Sequence, residues 1–311
     1  GATSLTICLW VLVGCASSED TGVTTSVRDS AGIVIVENAG DPPPSGGGWV
    51  VSPDPILSIG TFQGDSLQAL FRVQGARRLD DGSIALANAG SGEVRVYGGD
   101  GNFVGAFGRK GEGPGEFQNP VLVGVVPGDT LVVVDGQLRR IALIQPDGGV
   151  LESVRLSEDL GGGGFPQGMF SDGSVLVGGG FYWTSDGGVQ LSSGFSRRPT
   201  GYRLADRQGE LKTDFGEFPG SEFYMQVQSQ SGGAISMRAR LIPFGKYAMQ
   251  AVGPDLFYYG SGDSWEVKAF DPGGVLRRIY RVAVDPQPER RARGRAQGGR
   301  GALPRRRRRG A

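Results

Sequence analysis

The chain has 311 residues and a formal charge of zero, 32 Lys plus Arg against 32 Asp plus Glu, but the two signs are not spread evenly. Ten arginines and no acid lie between Arg290 and Ala311, so the preceding residues hold 22 basic against 32 acidic groups, an acidic body of charge minus ten ahead of a basic tail. No histidine occurs, which excludes a Ser-His-Asp triad, a Cys-His pair, an HExxH zinc site and every His-ligated metal.

At the N-terminus an apolar run extends from Leu5 to Val13. Nine residues are too few to cross a bilayer core, which needs about 20, but they fit the roughly 7 to 15 of a secretory core segment. The run ends in Leu12-Val13-Gly14-Cys15, followed by Ala16-Ser17-Ser18. This resembles the lipobox of bacterial lipoproteins. The resemblance implies lipid on Cys15 and, from Ala16 after it, sorting to the outer membrane. No Met and no basic stretch precede the run, so a chain lacking its first residues is expected. Residues 1–15 are read as signal peptide and lipobox, and 16–28 as a tether. Cys8 and Cys15 are the two cysteines, so the mature body holds no disulfide.

From residue 29 to 285 the sequence predicts an all-β domain. Its 56 glycines have no collagen period. Asp-Gly and Gly-Gly steps separate short runs of Val, Ile, Leu, Phe and Tyr, a pattern of tight turns between short strands. Internal repeats are the strongest signal. An apolar residue opening a strand (Ile84, Leu131, Val175, Leu256) is followed by the turn glycine of a later hairpin (Gly101, Gly148, Gly209, Gly273) at separations of 17, 17, 34 and 17. The long interval reads as an inserted hairpin or loop around Phe181-Tyr182-Trp183. Each unit offers four strands, the pattern of a β-propeller blade, which must stack on its neighbours to bury its faces.

Phe107-Gly108-Arg109-Lys110-Gly111-Glu112-Gly113-Pro114-Gly115-Glu116-Phe117, then Asn119-Pro120, resembles the inter-blade connection of NHL-repeat propellers. Asp29 to Asn38 resembles the start of bacterial six-bladed β-propeller lipoproteins. These resemblances imply a six-bladed propeller closed by pairing of the N-terminal strand with the last blade, and a role in interaction rather than catalysis. The sequence offers four clear units and two N-terminal strands, Ile33 to Glu37 and Val50 to Ile59, so the ring is expected to be incomplete.

Residues 286–311 lack the aromatic and β-branched residues of a core and are expected to be disordered. A basic arm for anionic lipid is one reading. Out-of-frame translation of GC-rich DNA is the favoured one, and nucleic acid is not expected as a partner.

Candidate site residues follow from the blade pattern. The innermost strands of a propeller line its channel, and here they supply Arg72, Gln74, Arg78, Gln167, Lys246 and Gln250. This set suits an anionic or sugar-like ligand, or a water-filled polar channel. Arg109, Lys110, Glu112 and Glu116 form a candidate charged rim on a loop that lacks the spacing of a phosphate-binding motif. Its simpler reading is an ordered turn. Phe257-Tyr258-Tyr259 is expected in blade packing. No catalytic residue, metal site or cofactor is assigned. The functional expectation is a lipid-anchored binding or scaffold module of the cell envelope with a protein or carbohydrate ligand. The alternative is a metal-dependent propeller hydrolase or lyase of lactonase-like type, which would need carboxylates on the inner strands.

Overall fold

A computed structural model describes residues 24–39, 50–61, 66–161, 165–178, 193–229 and 235–283. Cys15, Phe181, Tyr182, Trp183 and the arginine-rich tail lie outside them.

The described chain opens with a hairpin, β1 (Thr24–Ser30) and β2 (Ile33–Ala39). Ala31 and Gly32 make its turn at φ 54° and 82°, the double positive φ that matches a two-residue connection to strand twist. Four units of strands follow. The first is β3 (Val73–Arg78), β4 (Ile84–Asn88), β5 (Glu93–Tyr97) and β6 (Phe103–Phe107). The second is β7 (Pro120–Val126), β8 (Thr130–Asp135), β9 (Arg140–Ile144) and β10 (Val150–Arg155). The third begins with β11 (Phe165–Met169) and β12 (Val175–Gly178). There β13 (Gly194–Ser196) leaves the sheet before β14 (Thr200–Ala205) and β15 (Leu211–Phe218) complete it. Next come β16 (Phe223–Ser229) and β17 (Ile235–Leu241), which take up β13 as a three-stranded sheet. The fourth unit is β18 (Met249–Val252), β19 (Phe257–Gly260), β20 (Glu266–Phe270) and β21 (Leu276–Ala283). Each unit is an antiparallel four-stranded sheet with its strands in sequence order, apart from the excursion of β13. The fold is an all-β propeller of four-stranded blades.

The turns follow from the Asp-Gly chemistry. Asp81 and Asp172 each accept from the backbone N–H of the serine two residues on, at 2.8 and 2.9 Å. Gly82 and Gly173, between them, sit at φ 86° and 83°. Three apolar clusters form the core, one between each successive pair of blades. Val94 and Val96 meet Leu131 and Val133, Val132 and Val134 meet Val175 and Val177, and Tyr202 and Leu204 meet Phe257 and Tyr259. The alternation of strand side chains puts the facing sides of two neighbouring blades into each cluster.

The innermost strands β3, β7, β11 and β18 are neighbours in that order. Three of them carry a glycine at or directly after a bulge: Gly75 in β3, Gly124 in β7 and Gly168 in β11. A Cβ at these positions would stand 2.3 Å from the Leu122 carbonyl oxygen, 2.4 Å from Met169 Cε and 2.8 Å from Val252 Cβ, each on the inner strand of the following blade. Glycine therefore allows the next blade to approach. In β18 the matching position is Ala251, and β18 pairs with β19 without a shift of register.

The two N-terminal expectations have different outcomes. β2 lies alongside β21 in parallel and extends the fourth sheet, with β1 outermost. Val50 to Ile59 is not a strand, because Pro53 and Pro55 withhold two ladder donors. Instead residues 57–59 and 66–71 lie against the free side of blade 1. Leu57 and Ile59 approach the Gly101 turn. The buried Arg95 donates to the carbonyls of Ser66, Leu67 and Ala69 at 3.3, 3.1 and 3.0 Å, and Tyr97 Oη donates to Leu67 O at 2.9 Å. Phe71 N–H donates to Asn88 Oδ1 at 2.8 Å.

Candidate functional site

Polar side chains from the inner strands meet in separate places rather than in one ring. At the first, Asn119 Oδ1 accepts from Arg72 Nη2 at 2.9 Å and from Gln74 Nε2 at 2.7 Å. Asn119 is buried, and its own N–H donates at 2.9 Å to Asp135, a fully buried carboxylate. Arg72 reaches this node from a left-handed backbone, φ 57°. Arg78, at the far end of β3, lies over the Gly82 turn.

The second place joins blades 3 and 4. Gln250 Nε2 donates to Gln167 Oε1 at 2.6 Å, while Gln250 Oε1 accepts from Tyr202 Oη at 3.3 Å. The Gln167 amide nitrogen donates to the carbonyls of Phe165 and Gly178. The two glutamines thus meet, but both amides are committed to protein partners.

Arg72 and Lys246, expected on the inner strands, instead precede β3 and β18, in the connections that lead into them, and Lys246 reaches a third place. Its Nζ donates to Asp263 Oδ1 at 2.8 Å, and Asp263 also takes a two-pronged contact from Arg197, Nη1 to Oδ1 at 2.8 Å and Nη2 to Oδ2 at 2.5 Å. Ser261 Oγ donates to Asp263 Oδ2 at 3.0 Å, and Glu222 accepts from the Lys246 N–H at 3.0 Å. Arg197 foremost, then Lys246, holds the Asp263 carboxyl far below the usual carboxylate range, against a smaller opposing effect of burial. The same pair raises the Arg197 guanidinium above its ordinary value. Tyr259 is shifted up, chiefly by burial, and its hydroxyl donates to the Pro219 carbonyl.

Two clefts adjoin Asp263. The larger, of about 560 Å³, has Tyr247, Met249, Trp265, Val267, Tyr280 and Val282 in its lining, with Asn38, Asp263, Ser264, Glu266 and Arg281 as polar groups. The smaller, of about 260 Å³, runs along Phe218, Tyr259, Glu266, Lys268 and Phe270. Charges around the larger cleft are paired: Arg281 with Glu37 at 2.9 Å, and Glu266 with Lys268 at 3.6 Å. Trp265 is 76% exposed, yet its backbone is fixed, since its carbonyl accepts from Val282 N–H at 3.1 Å.

The loop from Gly108 to Pro120 is tied into the blades. Gly108 and Gly115 take φ 86° and 71°. Arg109 pairs with Glu116 at 2.6 Å, and Glu116 Oε2 accepts from Gly113 N–H at 2.9 Å. Lys110 Nζ donates to the carbonyls of Ala89 and Gln118 at 2.8 and 2.5 Å. Arg140 donates to the carbonyls of Glu112, Gly113 and Glu116, and its guanidinium carbon lies 5.7 Å from the centroid of the buried Phe117 ring. Lys110 and Glu112 thus reach the blades through carbonyl contacts, while Arg109 and Glu116 bridge the loop to itself.

No family model matches the sequence, and neither does any curated protein. Solved structures give distant likenesses. A Bacteroides fragilis protein named as exported shares 14% identity at a TM-score of 0.37, over 72% of this chain and 75% of that one. Virginiamycin B lyase from Staphylococcus aureus shares 12% at 0.33, over 69% and 71%. AztD from Citrobacter koseri shares 12% at 0.30, over 68% and 62%. Likeness at this level does not assign a ligand or a reaction.

Asp263, Arg197 and Trp265 were not reached from the sequence. The available signal is local: Ser261-Gly262-Asp263-Ser264-Trp265 places an acid and a tryptophan in a tight turn directly after the Phe257-Tyr258-Tyr259 strand. Phe257 and Tyr259 themselves are buried in the cluster between blades 3 and 4, and Tyr258 faces the other side, 6.3 Å from the Tyr280 ring.

Proposed function

We propose that this chain is a non-catalytic binding module of the bacterial cell envelope, tethered through lipid on Cys15 at the periplasmic or outer-membrane face, with a protein or carbohydrate ligand. The observation that carries this reading is that the charged groups around Asp263 are committed to one another beside an open, partly aromatic cleft. Acid–base catalysis needs a group poised to exchange a proton near the working pH. Asp263, locked between two cations, is not such a group. Among the described residues no three Cys, Asp or Glu side chains converge as metal ligands would. A cleft within the usual 300 to 1,000 Å³ of ligand pockets, lined by apolar surface with a few fixed polar groups, is of a size to hold a ligand.

The decisive experiment incubates the purified chain with lactone and peptide substrates, with and without added divalent metal. No turnover is expected, and metal-dependent turnover would overturn the reading. The tether is tested by Cys15→Ala, which should move the protein from the membrane to the soluble fraction. Continued membrane attachment would refute lipidation at Cys15.

A further inference from the structure

The sheet of β13, β16 and β17 is separate from the four blade sheets and is tied to blade 4 at one end. Arg197, just after β13, holds Asp263, and Glu222, just before β16, accepts from the Lys246 N–H at 3.0 Å. Register puts Phe195, Tyr224 and Arg240 in one row across the sheet and Gln226 beside Arg238 in the next, all on one exposed face. Phe223, Met225 and Val227, on the other face, are partly buried. β17 is an end strand, so one of its edges has no ladder partner among the described residues.

This edge differs from the other sheet edges. β3, β6, β7, β10, β11 and β15 all pair with a register shift, the kind of bulge that turns an edge away from further pairing. β17 pairs with β16 over seven residues without one. The other unshifted end strands offer less: β13 and β18 have three and four residues, and β1 carries Arg28 and Asp29, of opposite sign. β17 carries one sign. No Asp or Glu occurs in β13, β16 or β17, although the body is acidic. Arg238 and Arg240 make no ion pair or side-chain hydrogen bond among the described residues. Two positions apart on one strand, they are spaced by about 7 Å, the repeat of alternate side chains on an extended partner. The same charges disfavour a second copy, since antiparallel pairing about Ala239 would set Arg238 opposite Arg240. An anionic lipid surface would meet the arginines but leave the ladder groups of the edge unpaired.

We infer that the free edge of β17 takes up an extended acidic segment of a partner protein as a fourth strand of this sheet. Backbone hydrogen bonds to the edge supply affinity. Arg238 and Arg240 select a strand with Asp or Glu at alternate positions, because opposite charges on neighbouring strands attract and like charges repel. The inference takes from the binding-module reading only that the ligand is a protein, and gives that protein a surface apart from the Asp263 cleft.

The test is a fluorescence-anisotropy titration of the purified chain with a labelled heptapeptide of alternating glutamate and valine. A lysine–valine heptapeptide and phosphatidylglycerol vesicles serve as comparisons. Saturable binding of the glutamate peptide is expected, weakening in high salt. Arg238→Gln and Arg240→Gln should each weaken it by up to about fivefold, the range of exposed ion pairs. Both arginines are exposed, so neither change should lower the melting temperature appreciably. Arg238→Glu combined with Arg240→Glu should abolish that binding and bring the lysine peptide on instead, a gain that a misfolded chain would not show. Amide exchange followed by NMR should show alternate N–H groups of residues 235–241 becoming protected when the peptide is bound, because a strand turns alternate residues toward each neighbour. Four results would overturn the inference: no saturable binding of the glutamate peptide below about 1 mM, binding that survives the double charge reversal, binding without protection of any β17 amide, or binding of the vesicles alone. Failure of the peptide would leave the binding-module reading standing, whereas turnover of a lactone or peptide substrate would overturn that reading and leave this edge unaffected.

Discussion

Asp263 joins segments that nothing in the sequence links, since Arg197 lies 66 residues away and Lys246 lies 17 away. Lys246 was expected on an inner strand but precedes β18, its partner sits in a turn and its companion in the irregular stretch before blade 3 closes. Spacing could not bring them together. Gln167 and Gln250 were more legible, because equivalent positions on adjacent inner strands face each other. The Asp263 triad has a consequence for acid stability. Its carboxyl is depressed in the folded state, so its stabilising contribution is present above the unfolded value of about 4 and is lost as pH falls through the folded value. Asp172 behaves alike. Burial, its largest influence, raises its pKa, but hydrogen bonds from Lys212 and Ser174 outweigh that and bring it to about 2. Melting temperatures measured from pH 5 to pH 2 should therefore fall below about pH 4. Asp263→Asn should start lower at neutral pH and lose less across the acid window.

Strands were the most legible elements, because turns rich in Asp and Gly and apolar anchors recur in every blade. All four strands of each expected unit are present. Val50 to Ile59 misled because its apolar residues imitate a strand, whereas two prolines deny it a ladder. The glycine device was also visible in the sequence. Aligning the inner strands as Gln74-Gly75-Ala76, Val123-Gly124-Val125, Gln167-Gly168-Met169 and Gln250-Ala251-Val252 sets three glycines and one alanine in a single column. What the sequence lacked was a reason for that column, which only the close approach of the next blade supplies. The column predicts opposite tolerances. Gly75 sits at φ 91° against a carbonyl of β7, so Gly75→Ala should cost about 1–3 kcal/mol, read from the urea midpoint. Ala251→Gly meets no such constraint and should change stability by at most about 1 kcal/mol.

For the molecule as a whole, the acidity of the body has a structural origin. Asp81, Asp100, Asp147, Asp206 and Asp271 each accept backbone N–H groups in turns. A fold made of tight turns accumulates aspartates for this reason, and the charge of the body need not describe a partner. With no histidine, and with both cysteines ahead of the blades, no side chain of the body has an ordinary pKa between about 5 and 8. Denaturant midpoints should thus be flat from pH 5 to 8, and a step in that range would reveal a titrating group that the described structure does not contain. Blade 1 differs from its fellows in how its outer side is closed. The segment held by Arg95 and Tyr97 precedes the blade in the chain. A chain delivered N-terminus first therefore has everything needed to finish that side once Phe107 has emerged, before any part of blade 2 arrives. Each later blade then condenses onto a surface already made. Assembly acquires a direction, and a half-delivered chain need not expose the flank on which its growth began.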